Sequence, residues 1–137
     1  MRLQNKVAVI TGAASGFGAG TARLFATEGA AVVVADISDE AGESVVDSIN
    51  TTGGKAVYVH ADVTSRDDTR NMIDAAEKLG GRLDILINNA GYSHSNKEFA
   101  TVTDEEFDRV YDVNVKAVFI RNRGLIPRSG VSPGVSL

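Results

Sequence analysis

The sequence of 137 residues contains no cysteine, only two histidines and only two prolines. The absence of cysteine excludes a disulfide framework and a metal site built on thiolates. The histidines, His60 and His94, lie far apart in the sequence, so we expect no metal site. Both prolines fall within residues 121–137.

Long apolar runs are also absent. No run approaches the roughly 20 residues that are needed to span a bilayer, and the N-terminal run is too short for a signal peptide. The net charge of −4 argues against nucleic acid or an acidic membrane as the main partner. Because 43% of the residues are hydrophobic, one core can form. We therefore expect one soluble, cytoplasmic domain that binds neither nucleic acid nor membrane.

Short β-branched runs alternate with segments whose apolar residues recur at helical spacing. We expect strands at residues 6–10, 31–36, 55–63 and 83–91, each followed by a helix. The first helix is expected at 21–29. The other three are expected to begin at N-terminal caps formed by Ser38, by Ser65 with Asp68, and by Thr103 with Glu106. This β-α-β-α-β-α-β-α order predicts an α/β fold, in which an open parallel sheet is covered by helices on both faces.

Residues 121–137 differ from the rest of the chain. They contain three arginines, three glycines, both prolines and no acidic residue, and their apolar residues follow no period. We expect an irregular, poorly ordered tail without helix or strand. The abrupt change of composition near residue 120 is typical of a frameshift or an aberrant splice.

Asn114 interrupts the apolar face that we expect for the fourth helix. A polar side chain there costs free energy unless it forms hydrogen bonds. Asn114 is therefore either a functional residue or a structural asparagine that is satisfied by backbone or water. The other members of the predicted face are apolar or aromatic, namely Phe107, Val110, Tyr111 and Val118.

The stretch "VITGAASGFGAG" (9–20) follows the first strand and leads into a helix. Glycines at this place let the backbone approach an anion closely, and a helix N-terminus offers unpaired N–H groups and a partial positive charge. An ordinary strand-to-helix turn is the alternative. A P-loop is excluded, because no Gly-Lys-Ser/Thr follows. The sequence therefore predicts a phosphate site.

Asp36 ends the second strand, 20 residues after Gly16. A carboxylate at this spacing can accept hydrogen bonds from the ribose hydroxyls of an adenine dinucleotide. It would repel a 2′-phosphate, and neither Ser15 nor Ile37 is basic. These residues favour NAD over NADP, although a strand-end or capping carboxylate is the alternative for Asp36.

Four motifs in order resemble the N-terminal half of the short-chain dehydrogenase/reductase family. They are the glycine motif with Thr11, Gly12, Gly16 and Gly18, then "ADV", "NNAG" (Asn88 to Gly91) and "VYDVNVKAVF". The resemblance implies a Rossmann-like, doubly wound sheet of four strands in the order 3-2-1-4, which is incomplete for the family. Residues 1–120 would form an NAD-binding half-domain.

The same resemblance implies roles for individual residues. Asp62 would bind the adenine amino group, Val63 would contact the ring, and Asn89 and Ala90 would lie against a cofactor ribose. Asn114 would be the catalytic asparagine, which holds a water in a proton relay. The full set of cofactor-binding residues expected from the loop, the strand ends and the motifs is Gly12, Ser15, Gly16, Phe17, Gly18, Asp36, Ile37, Asp62, Val63, Asn89, Ala90 and Gly91.

Family chemistry is hydride transfer between a nicotinamide and a secondary alcohol or ketone, assisted by a serine and by a tyrosine with a lysine four residues later. None of Tyr58, Tyr92 and Tyr111 has that lysine. We therefore expect a truncated oxidoreductase that binds NAD and is not active alone. Two alternatives stay open. One is a non-catalytic module that binds a dinucleotide or pairs with a full-length relative. The other is an enzyme whose tyrosine and lysine come from another chain.

The two histidines add little to this hypothesis. His60 is expected to be structural. His94 lies in the loop after the fourth strand, near the expected substrate entrance, where an acid–base role is conceivable.

Overall fold

The computed structural model describes residues 1–93 and 95–125. Its four strands all pair in parallel and form one sheet in the order β3-β2-β1-β4. This confirms the predicted Rossmann-like α/β fold and the predicted strand order. The strands are β1 (Val7–Thr11), β2 (Ala31–Asp36), β3 (Lys55–His60) and β4 (Ile85–Ile87).

Helices follow each strand. Their bounds are α1 (Gly16–Thr27), α2 (Asp39–Thr51), α3 (Arg66–Gly80), α4 (Asp104–Tyr111) and α5 (Ala117–Leu125), with a π-helical segment (Asp112–Lys116) joining the last two and a short 3₁₀ turn at Phe99–Thr101. No helix among the described residues is long and apolar enough to cross a membrane.

The core lies on both faces of the sheet, because neighbouring strand residues point to opposite sides. On one face Ile10, Val32 and Val34 pack with residues of α1 and α2. On the other face Val9 and Val33 pack with α3. The buried residues of α3 are Thr69, Met72, Ile73 and Ala76, which recur at helical spacing, and Leu79 is half-buried.

Two strands are shorter than expected. The ladder between β2 and β3 ends where Asp36 pairs with His60, so residues 61–63 leave the sheet. The ladder between β1 and β4 ends at Ile10 and Ile87. Beyond that point a side chain replaces the ladder. The Thr11 hydroxyl accepts hydrogen bonds from the backbone N–H groups of Asn89 and Ala90. The residues that leave the sheet are the ones available to line a site.

Helix boundaries also differ from the prediction. The first helix begins at Gly16 rather than at residue 21, because tertiary contacts override the low helix propensity of glycine. Ser38 occupies the N-cap position of α2, but its side chain accepts no capping hydrogen bond. Ser65 caps α3 through the N–H of Asp68, and Thr103 and Glu106 form a complete capping box.

The prediction that residues 121–137 lack a helix is wrong for its first part, since α5 continues to Leu125. Residues 126–137 lie outside the described residues. The predicted apolar face of the fourth helix is also wrong. The buried residues are Val113, Ala117 and Arg121, which face the body of the domain. The large side chains lie on a side that no described element covers, where Phe107, Tyr111, Val115 and Phe119 are exposed.

Candidate functional site

A cleft of about 330 Å³ opens at the carboxyl ends of the strands. Ligands bind at this edge in open α/β sheets, where loops from neighbouring strands separate. The cleft brings together most of the predicted cofactor residues and adds three that were not predicted, Ala61, Arg109 and Val113. Its lining consists of Gly12, Ser15, Asp36, Ile37, Ala61, Asp62, Val63, Asn89, Ala90, Gly91, Arg109 and Val113.

The glycine loop forms the floor of the cleft, and two of its glycines are sterically required. Gly12 has a φ of +64°, and a Cβ atom there would lie 2.8 Å from the Cα of Ala90. A Cβ on Gly18 would overlap the carbonyl oxygen of Gly12. Larger residues would therefore push α1 and the loop after β4 apart. Gly16 also has a positive φ, of +53°, but open space surrounds it.

Three predicted residues do not line the cleft, namely Gly16, Phe17 and Gly18. Gly18 acts from behind, by letting α1 approach the loop. Phe17 is 92% exposed, and its contact with a cofactor stays a prediction.

The N-terminus of α1 keeps its backbone donors available. Ser15 lies at the N-cap, but its side chain accepts no hydrogen bond from the first turn. Ser65 and Thr103, at the same position of α3 and α4, do accept one. The first N–H groups of a helix have no partner inside the helix. In α1, as in α2 behind Ser38, they are therefore free of a side-chain cap, and such groups can bind an anion.

Asp36 ties the end of β2 to the glycine loop. One carboxylate oxygen accepts from the N–H of Ala14 at 3.0 Å, and the other accepts from the N–H of Ser38 at 3.0 Å. The carbonyl oxygen of Asp36 accepts from the hydroxyl of Tyr58 at 2.7 Å and from the N–H of Ala61 at 2.9 Å. These bonds fix the carboxylate in the wall of the cleft, where each oxygen keeps a further lone pair.

Asp62 contributes a second carboxylate to the cleft. Its Oδ1 accepts from the backbone N–H of Thr64 at 2.9 Å and from the Thr64 hydroxyl at 2.6 Å. These hydrogen bonds lower the pKa of Asp62, and the positive charge of Arg109 lowers it further. Asp62 is therefore ionised at neutral pH and can accept hydrogen bonds from a ligand. The adjacent Val63 is buried against Val113 and Ala117.

Thr11 and Asn89 join the ends of β1 and β4. The Thr11 hydroxyl donates to the carbonyl of Ile87 at 3.3 Å and accepts from the N–H groups of Asn89 and Ala90 at 3.2 and 3.1 Å. The amide of Asn89 donates to the carbonyls of Thr11 and Gly12 at 3.1 and 3.0 Å. Asn89 thus lines the cleft and also holds the glycine loop in place.

Asn114 lies in the π-helical segment and does not line the cleft. Its amide oxygen accepts from the N–H of Tyr92 at 2.9 Å, and its amide nitrogen donates to the carbonyl of Tyr92 at 2.8 Å. The predicted need for a hydrogen-bonding partner is therefore met by backbone. The prediction that Asn114 lies on an apolar face is wrong, because the residue is exposed. π-Helical segments occur frequently at functional sites.

His60 lies outside the cleft lining. Its Nδ1 is 2.6 Å from Oδ1 of Asp39, and the Tyr58 hydroxyl lies 2.7 Å from the same oxygen. The hydrogen bond to Asp39 raises the pKa of His60. Burial, and secondly the Asp39 carboxylate, raise the pKa of Tyr58. His94 lies outside the described residues.

Arg109 and Arg121 were missed from the sequence. The guanidinium carbon of Arg109 lies 4.8 Å from the centre of the Tyr92 ring, and the side chain lines the cleft. Arg121 is 1% exposed and donates to the amide oxygen of Asn88 at 2.7 Å and to the carbonyl of Val63 at 3.2 Å, and its remaining nitrogen has no partner among the described residues. No sequence signal separates either residue from the surface arginines of the chain.

Comparison with known proteins agrees with this geometry. The profile of the family described as short chain dehydrogenase matches residues 6–131. Secoisolariciresinol dehydrogenase from Forsythia intermedia is 46% identical over 122 residues, which cover 87% of this chain and 43% of that protein. The chain thus spans less than half the length of this curated relative.

Two solved structures carry a nicotinamide dinucleotide. The 3-ketoacyl-(acyl-carrier-protein) reductase from Brucella melitensis, complexed with NADH, is 43% identical with a TM-score of 0.84, over 91% of this chain and 50% of that one. A metagenomic short-chain oxidoreductase in complex with NADP is 32% identical with a TM-score of 0.85, over 93% and 57%. The family match, the strand order and the glycine-lined cleft together place this chain in the short-chain dehydrogenase family, whose members bind a nicotinamide dinucleotide.

Proposed function

We propose that this chain is the dinucleotide-binding part of an oxidoreductase that acts on a secondary alcohol or ketone, and that it prefers NAD to NADP. The observation that carries the preference is the Asp36 carboxylate, fixed in the cleft wall by the N–H groups of Ala14 and Ser38. It can accept hydrogen bonds from a 2′-hydroxyl and repels a 2′-phosphate.

The residues of the cleft fit a dinucleotide along its length. The uncapped N-terminus of α1, with the close approach at Gly12, would hold the pyrophosphate. Asp36 would hold the adenosine ribose, and Asp62 with Val63 would hold the adenine. Asn89 and Ala90 would lie beside the second ribose. When bound, the nicotinamide accepts or donates a hydride.

Asn114 is the residue of this chain that the proposal connects to the proton transfer. Its amide oxygen already accepts one hydrogen bond from the N–H of Tyr92 and keeps a second lone pair for a water. Its two hydrogen bonds to Tyr92 also fix the loop after β4, in which Gly91 is the last residue that lines the cleft. The serine, tyrosine and lysine that assist the reaction in the family would come from residues other than those of the four motifs.

The preference for NAD is tested by titrating the chain with NAD⁺ and NADP⁺ in a calorimeter. We expect NAD⁺ to bind more tightly, and Asp36→Ala to reduce the ratio of the two affinities by about tenfold, the effect of losing one charge-assisted hydrogen bond and one repulsion. Asp47→Ala removes the same charge from the exposed surface of α2 and should leave the ratio unchanged. Equal affinities in the unaltered chain would contradict the proposal.

Activity separates the proposal from the alternative of an enzyme that is completed by another chain. NADH absorbance is followed with simple secondary alcohols and ketones. Binding without turnover is expected, and a non-catalytic or pairing module would show the same. Co-purification with a longer relative would favour pairing. Turnover that disappears in Asn114→Ala would instead support an enzyme completed by another chain.

A further inference from the structure

Arg109 is the only cation among the described residues that line the cleft. It lies in α4, one helical turn before Val113, which lines the same wall. The other charged groups there are the carboxylates of Asp36 and Asp62. The lining therefore places two acceptors and a single strong donor around the space that the proposed function assigns to adenosine.

Tyr92 fixes the guanidinium. The Arg109 Cζ lies 4.8 Å from the ring centroid, a distance at which a planar cation is attracted by the face of an aromatic ring. The backbone of Tyr92 is held in turn by the amide oxygen and the amide nitrogen of Asn114. Arg109 makes no ion pair within 4.0 Å among the described residues. Its N–H donors are thus left for a ligand, while the guanidinium lies over the ring of Tyr92.

The location of Arg109 matches the adenine end rather than the phosphate end. Val113, one turn further along the helix, packs against Val63, the neighbour of Asp62, and the positive charge of Arg109 lowers the pKa of Asp62. A guanidinium can stack on a purine face or donate to its ring nitrogens, and arginine does both better than lysine because it is planar.

We propose that Arg109 closes the adenine end of the cleft by direct contact with the base, and that Tyr92 is the residue that positions it. This inference rests on the proposed function and extends it, because it adds a contact to the adenosine that the family motifs of this sequence do not contain.

The test uses the full chain with two ligands. NAD⁺ binding is measured by calorimetry, and binding of adenosine is measured by ligand-detected NMR. Adenosine carries no charge, so a change in its affinity cannot come from long-range attraction. Arg109→Gln is compared with Arg70→Gln, a matched loss of one arginine on the exposed surface of α3, and melting temperatures verify that both variants fold.

We expect Arg109→Gln to lower the affinity for NAD⁺ and for adenosine about fivefold, the size of one cation–aromatic contact. Arg70→Gln should leave both affinities unchanged. Tyr92→Leu should lower the affinity for adenosine by a smaller factor. An unchanged adenosine affinity in Arg109→Gln, in a chain that binds NAD⁺, overturns this inference and leaves the proposed function standing. Absence of NAD⁺ binding in the unaltered chain removes both.

Discussion

The side-chain amide of Asn114 forms two hydrogen bonds with the backbone of one residue, Tyr92, at 2.9 and 2.8 Å. An amide has a donor and an acceptor in fixed geometry, so this pair mimics one rung of a β-ladder. It joins the π-helical segment to the loop that leaves β4. The same loop residue carries the ring that contacts Arg109.

We predict that Asn114→Ala loosens this loop without unfolding the domain. Two hydrogen bonds are lost, and each is worth about 1 kcal/mol at most in an exposed position. The exchange rate of the Tyr92 amide proton should rise by at least about tenfold, as measured by hydrogen exchange. Asn96→Ala, which removes an exposed asparagine of the same loop, should leave that rate unchanged. Equal protection of Tyr92 in both variants would contradict this role.

Gly12 and Gly20 should respond in opposite directions to the same substitution. Gly12→Ala places a Cβ 2.8 Å from the Cα of Ala90 in a backbone with φ of +64°, so we expect a loss of about 1–3 kcal/mol. A Cβ on Gly20, within α1, meets nothing within 4 Å. Gly20→Ala should therefore stabilise the helix by up to about 1 kcal/mol.

Urea unfolding of the two glycine variants measures the difference. NAD⁺ affinity should fall in Gly12→Ala and be retained in Gly20→Ala, because only Gly12 lines the cleft. A Gly12→Ala variant as stable as the unaltered chain would mean that the loop and Ala90 can separate without cost.

Arg121 should be a source of instability. Burial lowers its pKa to about 10, no carboxylate pairs with it among the described residues, and one nitrogen lacks a partner. Replacing even a buried ion pair with apolar side chains of similar volume is often neutral or stabilising by about 1–4 kcal/mol, and Arg121 has no counter-ion among the described residues to lose. Arg121→Met should raise the melting temperature, whereas Arg123→Met, at an exposed position of α5, should not.

The expected rise in melting temperature of Arg121→Met can be contradicted directly. Arg121→Met also removes the bonds to Asn88 and to the carbonyl of Val63. A lower melting temperature than that of Arg123→Met would show that these bonds outweigh the cost of burying the charge.

The pair of His60 and Asp39 should make stability depend on pH. The hydrogen bond to Asp39 raises the folded-state pKa of His60 above 6.5, and the carboxylates of Asp68 and Asp62 contribute. A raised pKa means that the folded state holds the proton more tightly. The contribution is therefore fully present below the unfolded pKa and is lost as pH rises through the folded pKa.

Histidine resonances in NMR spectra measure this pKa. Asp39→Asn should return the His60 pKa towards 6.5 and remove the difference between the unfolded and folded values. The Asp39 carboxylate is held at low pKa first by the Tyr58 hydroxyl and then by His60. Because burial and then the Asp39 carboxylate raise the pKa of Tyr58, the variant should also lower the pKa of Tyr58 towards its ordinary value. An unchanged His60 pKa in Asp39→Asn would assign the shift to other groups.

The sequence predicted the architecture because the spacing of apolar residues and the order of strands and helices depend on local residue chemistry. Strand β2 begins and ends as predicted, and the buried stripe of α3 follows its spacing. The end of β3 was not predictable, because it depends on where the ladder to β2 stops, at the pair of Asp36 and His60. The motifs located the walls of the cleft, since Asp36 ends β2 and Asp62 and Asn89 lie just after β3 and β4, which run in the same direction.

Features that depend on contacts distant in sequence were missed. The fourth helix turns Val113 inwards and Phe107 outwards, because Val63 and Ala90 pack on one side of it. Composition alone placed Arg121 in an irregular tail, but its side chain reaches the carbonyl of Val63. Arg109 gains its position from the ring of Tyr92, which lies 17 positions earlier in the sequence.

The hydrogen bonds of Asp36 bear on how cofactor choice could be redesigned. Its carboxylate neutralises two backbone donors, the N–H groups of Ala14 and Ser38. Shortening this side chain to alanine would remove a negative charge and simultaneously uncover both donors at the same spot. If Asp36 sets the proposed preference for NAD, Asp36→Ala would thus replace a carboxylate by two free N–H donors that can bind a phosphate, and Ile37→Arg would supply the counter-charge.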